Sequence, residues 1–379
     1  MSGAAKRTGR NRHGSGYMRS FIEDILYDRR TDAVTLPVRA ALRFLEGFYS
    51  AGTAIRNFLY DRNILKSDGV PCRVVSVGNV TVGGSGKTPV VVMAAKLLVE
   101  AGYPVAVVSR GYGGRTRIPL VVSDEARITA LPAECGDEPH IIAQELTGVP
   151  VVVGKNRLKA AQLAFERFKP KVILLDDAFQ HRKLERNVDI VTIDADSPFG
   201  NEHLLPRGTL RESPFALKRA KAVVATHLKD EKQMEKVERM VRYYDRRVPI
   251  FRSRYAASGF RKPGGDEKSD PGEVKGVKVA ALSNIATPAS FHRTLESLGA
   301  VVVLKKTMPD HHRYTAGELE SIENDALSAG AEMLVMTAKD ERNLPEPYGV
   351  ERIDKRVLDI EAELLDDREK FLKLLKPLF

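Results

Sequence analysis

Apolar and polar positions divide the chain into short β-branched runs separated by stretches of helical periodicity. Val74, Val75 and Val77 read as a buried strand. The strand meets a glycine cluster, and helical spacing then predicts a helix over 90–100. Pro89 suits its first turn, whose N–H groups have no partner inside a helix. Strands are predicted over 105–109, 120–123, 149–153, 172–175, 190–193 and 222–226, with helices over 136–146 and 158–168 among them. Strands that are apolar throughout and alternate with helices predict a parallel sheet covered on both faces.

Glycines, prolines and charges crowd residues 253–276, the expected connection between domains. A smaller α/β unit follows, with strands over 277–283, 301–305 and 332–337 and helices over 289–298 and 316–329. The expected organisation is a basic, disordered extension (1–17), a sheet domain (18–252), a linker (253–276) and a smaller C-terminal α/β domain (277–379). The most apolar stretch, 89–108, is broken by Lys96, Glu100 and Gly102, so no membrane span is predicted. No apolar signal core follows the basic residues Lys6, Arg7, Arg10 and Arg12, and nothing argues for secretion.

One amphipathic segment stands apart. Over 38–62, Leu42, Leu45, Phe48, Ile55, Phe58 and Leu59 recur at helical spacing with Arg39, Arg43, Arg56 and Arg62 interleaved. A helix with an aromatic face and basic charges lies well on an anionic membrane. The commoner alternative is a core helix with a solvated basic edge, and the residues alone favour it.

Composition then narrows the partners. A hydrophobic share of 43% and a charged share of 29% belong to a globular chain, and 379 residues suffice for two cores. The net charge of +10 asks for an acidic partner: nucleic acid, anionic lipid or a phosphorylated substrate. Cys72 and Cys135 have no metal-ligand spacing, and a reducing cytosol fits them.

The chemistry gathers after the first strand. Thr81, Val82, Gly83, Gly84, Ser85, Gly86, Lys87 and Thr88 form a glycine loop at a helix start. Its backbone N–H groups and helix terminus would cradle phosphates, Lys87 would neutralise the outer oxygens, and Thr88 would hold Mg²⁺. Thr81 stands where the usual spacing has its first glycine; the bland reading is an ordinary turn with Lys87 exposed. Strand, loop and helix in this order favour a nucleoside-triphosphate site. Asp176-Asp177 closes an apolar strand downstream, where such folds place the carboxylate that works with Mg²⁺; two helix-capping aspartates are the alternative. Asp137, after Gly136, reads either as an N-cap or as a base for an attacking hydroxyl. The cluster Asp310-His311-His312 lacks a third ligand at a convincing spacing and is not read as a metal site. Arginines and Glu212 make 200–212 a loop suited to an anionic substrate or to the metal's surroundings.

Together these words resemble the tetraacyldisaccharide 4′-kinases, enzymes that phosphorylate the lipid A precursor in Gram-negative bacteria. The resemblance rests on Gly78-Asn79 with 81–89, Ser109-Arg110-Gly111-Tyr112, Gly136-Asp137-Glu138-Pro139 and Asp176-Asp177-Ala178-Phe179-Gln180-His181-Arg182. It continues through Leu204-Leu205-Pro206, Gly208, Leu210-Arg211-Glu212, Asp310-His311-His312 and Thr337-Ala338-Lys339-Asp340. Thr81 is also what that family carries; Ala178, Arg207 and Thr209 depart from its usual residues.

The resemblance implies a P-loop kinase domain, ATP with Mg²⁺, and transfer of the γ-phosphate to the 4′-hydroxyl of an acylated glucosamine disaccharide. It implies a monotopic enzyme on the cytoplasmic face of the inner membrane, with no nucleic acid and no obligate protein partner. Lys87 and Thr88 would serve phosphate and Mg²⁺, with Asp176, Asp177 and Glu212 around the metal. Asp137 would be the base, paired with His311, while Arg110, Gln180, Arg182 and Asp310 would order site or substrate. A lipid substrate also turns residues 38–62 towards the membrane reading. A membrane-cycling P-loop switch ATPase is the rival, although Val82 stands where those proteins carry a lysine. A nucleic-acid binder rests on charge alone and lacks a reading motif.

Overall fold

In the computed structural model, the described residues are 25, 32, 35–265, 267–285, 288–309, 312–345 and 352–377. They divide into two compact units, residues 1–254 with 364–379, and residues 255–363.

The first unit opens with helix α1 (Leu36–Asp61), which buries none of its residues. Strand β1 (Arg73–Gly78), α2 (Lys87–Glu100), β2 (Val105–Ser109) and β3 (Leu120–Ser123) follow. Next come the short α3 (Pro132–Cys135), α4 (Asp137–Glu145), β4 (Val151–Val153), α5 (Arg157–Phe168), β5 (Val172–Asp176) and β6 (Val188–Asp194). A 3₁₀ turn (Pro214–Arg219), β7 (Ala222–Thr226), α6 (Glu231–Tyr244) and the start of β8 (Ile250–Arg261), whose residues from 255 on belong to the second unit, complete the forward run. The sheet order is β8-β7-β6-β1-β5-β2-β4-β3, parallel except at β3.

The β-branched runs explain the order. Val75, Val77, Ile173, Leu174 and Leu175 are fully buried because helices cover both faces of the sheet. Caps set the helix starts: Asn156 accepts from the Lys159 N–H for α5, and Asp230 from the Gln233 N–H for α6. In α6, Met234, Val237 and Val241 make the buried stripe of a helix otherwise full of charge.

In the second unit, β9 (Lys278–Ser283), α7 (Pro288–Ser297), β10 (Val301–Thr307), α8 (Ala316–Ser328), β11 (Met333–Thr337), α9 (Ala338–Glu341) and β12 (Asp354–Leu364) follow in chain order. Their strands run in parallel in the order β10-β9-β11-β12. Helix α10 (Arg368–Leu375) belongs to the first unit, where Phe251 meets Phe371 and Arg73 donates to the Leu374 carbonyl.

Two expectations meet a different arrangement here. Residues 253–276 hold the end of β8, a bridge between Phe260 and Ser269 and a 3₁₀ turn (Pro271–Val274). Residues 364–379 group with the first unit, since Phe371 and Leu375 bury themselves there. The extension 1–17 lies outside the described residues.

Candidate active site at the carboxyl ends of the central strands

Strands β1, β5 and β2 are neighbours in register, so their C-terminal ends deliver three loops to one edge. After β1 the loop is pinned from below. Asn79 Nδ2 donates to Ser85 Oγ at 2.7 Å, and that hydroxyl lies 2.9 Å from Thr192 Oγ1 on β6. Thr226 Oγ1 of β7 donates to the Ser85 carbonyl at 3.1 Å. Gly83 and Gly86 take φ of 103° and 73°, conformations that strain any other residue. Gly86 thereby delivers the chain to α2, whose first turn carries Lys87 and Thr88. The loop is braced laterally as well. Val82 N–H donates to the Thr209 carbonyl and Arg211 N–H to the Val80 carbonyl, each at 2.7 Å, and Thr81 bridges to Leu210.

Strand β5 ends at Asp176, opposite Val77. Its side chain is buried, with Oδ2 accepting from Ser109 Oγ at 3.0 Å. Oδ1 has no hydrogen-bond partner among the described residues. Burial, then the charges of Glu138 and Asp177, push the Asp176 carboxyl up to about 6. Asp177 behaves differently. Burial opposes its charge, but Lys87 and Arg211 outweigh that and hold it below the usual carboxylate range. Lys87 Nζ lies 3.8 Å from Asp177 Oδ1 and donates to the Gly83 carbonyl at 3.3 Å.

A buried cation supports this edge. Arg157 donates to the Gly154 and Asp176 carbonyls, both at 3.1 Å. Burial pulls it down to about 10, which leaves it charged at neutral pH. His181, pulled down to about 4 by burial and then by Arg157 and Arg186, is neutral there. Arg110 is exposed but close enough for its charge to act on both.

Asp137 begins α4 and is exposed. It follows Gly136, whose φ is 91°. A Cβ at Gly136 would lie 2.2 Å from the Tyr112 carbonyl oxygen, so this turn and the loop after β2 touch through backbone. The charge of the adjacent Glu138 reaches Asp176.

Glu212 has both oxygens occupied. It is buried and accepts from Gln180 Nε2 at 2.8 Å, from Asn57 Nδ2 at 3.0 Å and from Arg219 at 3.0 and 3.1 Å. Arg182 donates to Asp61 at 2.7 Å and to the Asn57 carbonyl at 3.0 Å. Asp310 and His311 lie outside the described residues. In their unit, Asn284 donates to the His312 carbonyl at 3.2 Å and Tyr314 Oη to Asp340 at 2.6 Å.

The structure therefore brings the 81–88 loop, Asp176, Asp177, Gln180 and Glu212 into one hydrogen-bonded edge, with Arg182 linked to it through α1. Ser109, Arg157 and Arg211 join them; the sequence reading had given Arg211 only a general part in the 200–212 loop and Ser109 and Arg157 no role of their own. Their signal was position: each lies at or just past the C-terminal end of a strand or within the long 200–212 loop. Among the described residues, no three His, Cys, Asp or Glu side chains form a metal cluster. Mg²⁺ asks for less, being held by one or two carboxylates with substrate phosphates, and the free Oδ1 of Asp176 fits that donor set.

A glycine loop leading into a helix, with a carboxylate-ended strand beside it in a mostly parallel α/β sheet, is the arrangement found in P-loop proteins. The chain's relatives narrow the class. The sequence profile described as Tetraacyldisaccharide-1-P 4'-kinase matches residues 38–379. A tetraacyldisaccharide 4'-kinase of Syntrophus aciditrophicus is 44% identical over 317 residues, 81% of this chain and 85% of the relative. One from Anaeromyxobacter sp. (strain K) is 41% identical over 349 residues, 91% and 92% of the two chains. The crystal structure of LpxK from Aquifex aeolicus in complex with ATP aligns with TM-score 0.70 at 30% identity, covering 89% of this chain and 98% of that one. The chain belongs to the tetraacyldisaccharide 4′-kinase family, as the sequence words had implied.

Proposed function

We propose that this protein transfers the γ-phosphate of ATP to the 4′-hydroxyl of a tetraacylated glucosamine disaccharide 1-phosphate, a lipid A precursor. The observation that carries the reading is the pairing of the phosphate loop with Asp176 and Asp177 on adjacent strands, in a chain whose relatives bear that name. Phosphoryl transfer demands positioning and charge neutralisation more than covalent chemistry. The 81–88 backbone would cradle the phosphates, and Lys87 would neutralise the transferring group. Thr88 and Asp176 would hold Mg²⁺, which when bound neutralises phosphate charge. Asp177 is committed to Lys87 and Arg211, so its part is to orient them. Glu212, with both oxygens engaged, is better suited to ordering the site than to touching the metal.

Asp137 would accept the proton of the sugar hydroxyl as that oxygen bonds to phosphorus and the bond to ADP breaks. Exposure at a helix start leaves it open to a substrate. On the resemblance, His311, with Asp310 beside it in sequence, is assigned to the reaction, and Arg110, Gln180 and Arg182 as site-ordering residues.

The lipid would be met through α1. No helix among the described residues is long and apolar enough to cross a membrane. Yet Phe44, Phe48 and Ile55 of α1 are 70%, 66% and 60% exposed, on a helix with Arg39, Arg43 and Arg56. That combination suits reversible attachment to an anionic bilayer, here the cytoplasmic face of the inner membrane.

The test is direct. Incubation with ATP, Mg²⁺ and tetraacyldisaccharide 1-phosphate should give a lipid heavier by one phosphate in mass spectrometry. ATP hydrolysis stimulated by lipid without that product would overturn the assignment in favour of a switch ATPase.

A further inference from the structure

Helix α1 has two faces, and only one of them is free. Phe44, Phe48, Ile55 and Phe58 are exposed, whereas Glu46, Tyr49, Asn57 and Tyr60 on the other side are partly covered. The covered side is bonded to the loop that carries Arg211 and Glu212. Tyr49 Oη donates to the Arg211 carbonyl at 2.8 Å, and Asn57 Nδ2 to Glu212 Oε2 at 3.0 Å. Glu46 accepts from the Leu204 N–H at 2.7 Å, further along the same loop.

From Glu212 the contacts continue inward. Gln180 Nε2 donates both to Glu212 Oε1 at 2.8 Å and to the Asn79 carbonyl at 2.7 Å. Asn79 Nδ2 in turn holds Ser85 Oγ within the phosphate loop. Arg219 sits between Glu212 and the face of Phe179, its guanidinium 4.5 Å from the ring centroid. A buried carboxylate fixed by three donors from three separate segments has a single geometry. Removing one donor leaves charge unsatisfied, and the remaining partners must re-form around it.

From this chain of bonds we infer that Asn57 and Tyr49 are positioning residues for phosphoryl transfer: acting through Glu212, Gln180 and Arg211, they set the phosphate loop from the far side of the lipid-facing helix. The inference rests on the kinase reading and extends it. Helix α1 is then part of the catalytic framework as well as a surface for lipid. Physical contact runs from the helix to Ser85 without a gap longer than a hydrogen bond.

The experiment measures lipid phosphorylation at saturating ATP on mixed vesicles containing the tetraacyldisaccharide, for Asn57→Ala, Glu212→Gln and the double variant. Retention on vesicles of the same composition without substrate is measured in parallel. Asn57→Ala should lower kcat about tenfold, with KM for the lipid and vesicle retention within about twofold of wild type. In the Glu212→Gln background the same change should add nothing, because its route is already cut. Tyr49→Phe removes one hydroxyl without altering the fold, and it should lower kcat about fivefold with the same unchanged retention.

Independent, multiplying effects of Asn57→Ala and Glu212→Gln would overturn the inference. So would a loss of vesicle retention or a rise in KM at unaltered kcat, since Asn57 would then serve lipid contact alone. An inactive wild-type protein would strike the kinase reading instead, which keeps the two failures distinguishable.

Discussion

Arg211 Nη1 lies 2.8 Å from one oxygen of Asp177 and 3.0 Å from the other, and Asp177 holds this pose with φ of 48°. A non-glycine residue in the left-handed region is uncommon and persists where its surroundings over-determine it. Arg211 and Lys87 are those surroundings. Hydrogen bonds to charged groups contribute about 1.5–3 kcal/mol. Arg211→Ala should therefore lower kcat/KM by roughly tenfold to a hundredfold, with Arg211→Lys recovering little because its donors differ in geometry. Steady-state kinetics on both variants checks this.

Asp137→Ala should separate chemistry from nucleotide binding. A general base contributes typically 10²–10⁴-fold. The variant should lose turnover on that scale while binding a non-hydrolysable ATP analogue about as tightly as wild type. Lys87→Ala should instead weaken the analogue itself. Calorimetric titration of both variants tells the two roles apart.

Asp176 carries a cost in the absence of ligand. Its carboxyl is pushed up to about 6, above the unfolded value near 3.9. The folded state then binds more protons between those values, and this group's contribution to stability falls as pH rises through the window. Asp176→Asn should accordingly stabilise the metal-free protein at pH 8, by roughly 1–3 kcal/mol. The difference should shrink towards zero near pH 4. The same variant should lose Mg²⁺-dependent activity. Thermal unfolding of both proteins across pH 4–8 measures the gap, and a wild type more stable than the variant at pH 8 would contradict it.

Gly78 leaves no room for a side chain. A Cβ there would lie 2.6 Å from Phe179 Cβ and 2.7 Å from its backbone nitrogen. Gly78→Ala should therefore push apart β1 and the stretch after Asp177, costing about 1–3 kcal/mol and most of the activity. Gly84→Ala meets nothing within 4 Å and should leave unfolding temperature almost unchanged.

The apolar face of α1 can be altered without touching a core. Phe48→Ser with Ile55→Ser should change stability by less than about 0.5 kcal/mol, since both side chains are already exposed. Co-sedimentation with anionic vesicles should drop severalfold. Wild-type binding should also weaken as salt rises, because basic side chains near anionic headgroups are screened.

Sequence alone carried most of the strands, the glycine loop and the identity of the family, for one reason: each is written in neighbouring residues, whereas β8 and β12, which it did not predict, take their place by pairing with distant strands. Val172 to Asp176 is apolar and ends in a carboxylate, and Gly83 to Thr88 supplies its own turn and helix start. Periodicity also showed that residues 38–62 form an amphipathic helix, but it could not say which face is covered. Only the fold decided that, by setting Asn57 against Glu212 across 155 residues of chain and leaving Phe48 in the open. Likewise Asp176 and Asp177 are adjacent and chemically identical in the sequence. One became a buried acid with a free oxygen and the other a partner of two cations. Burial and the distant charges of Lys87 and Arg211 make that difference, and desolvation and Coulomb energy depend on distances that only the folded chain fixes.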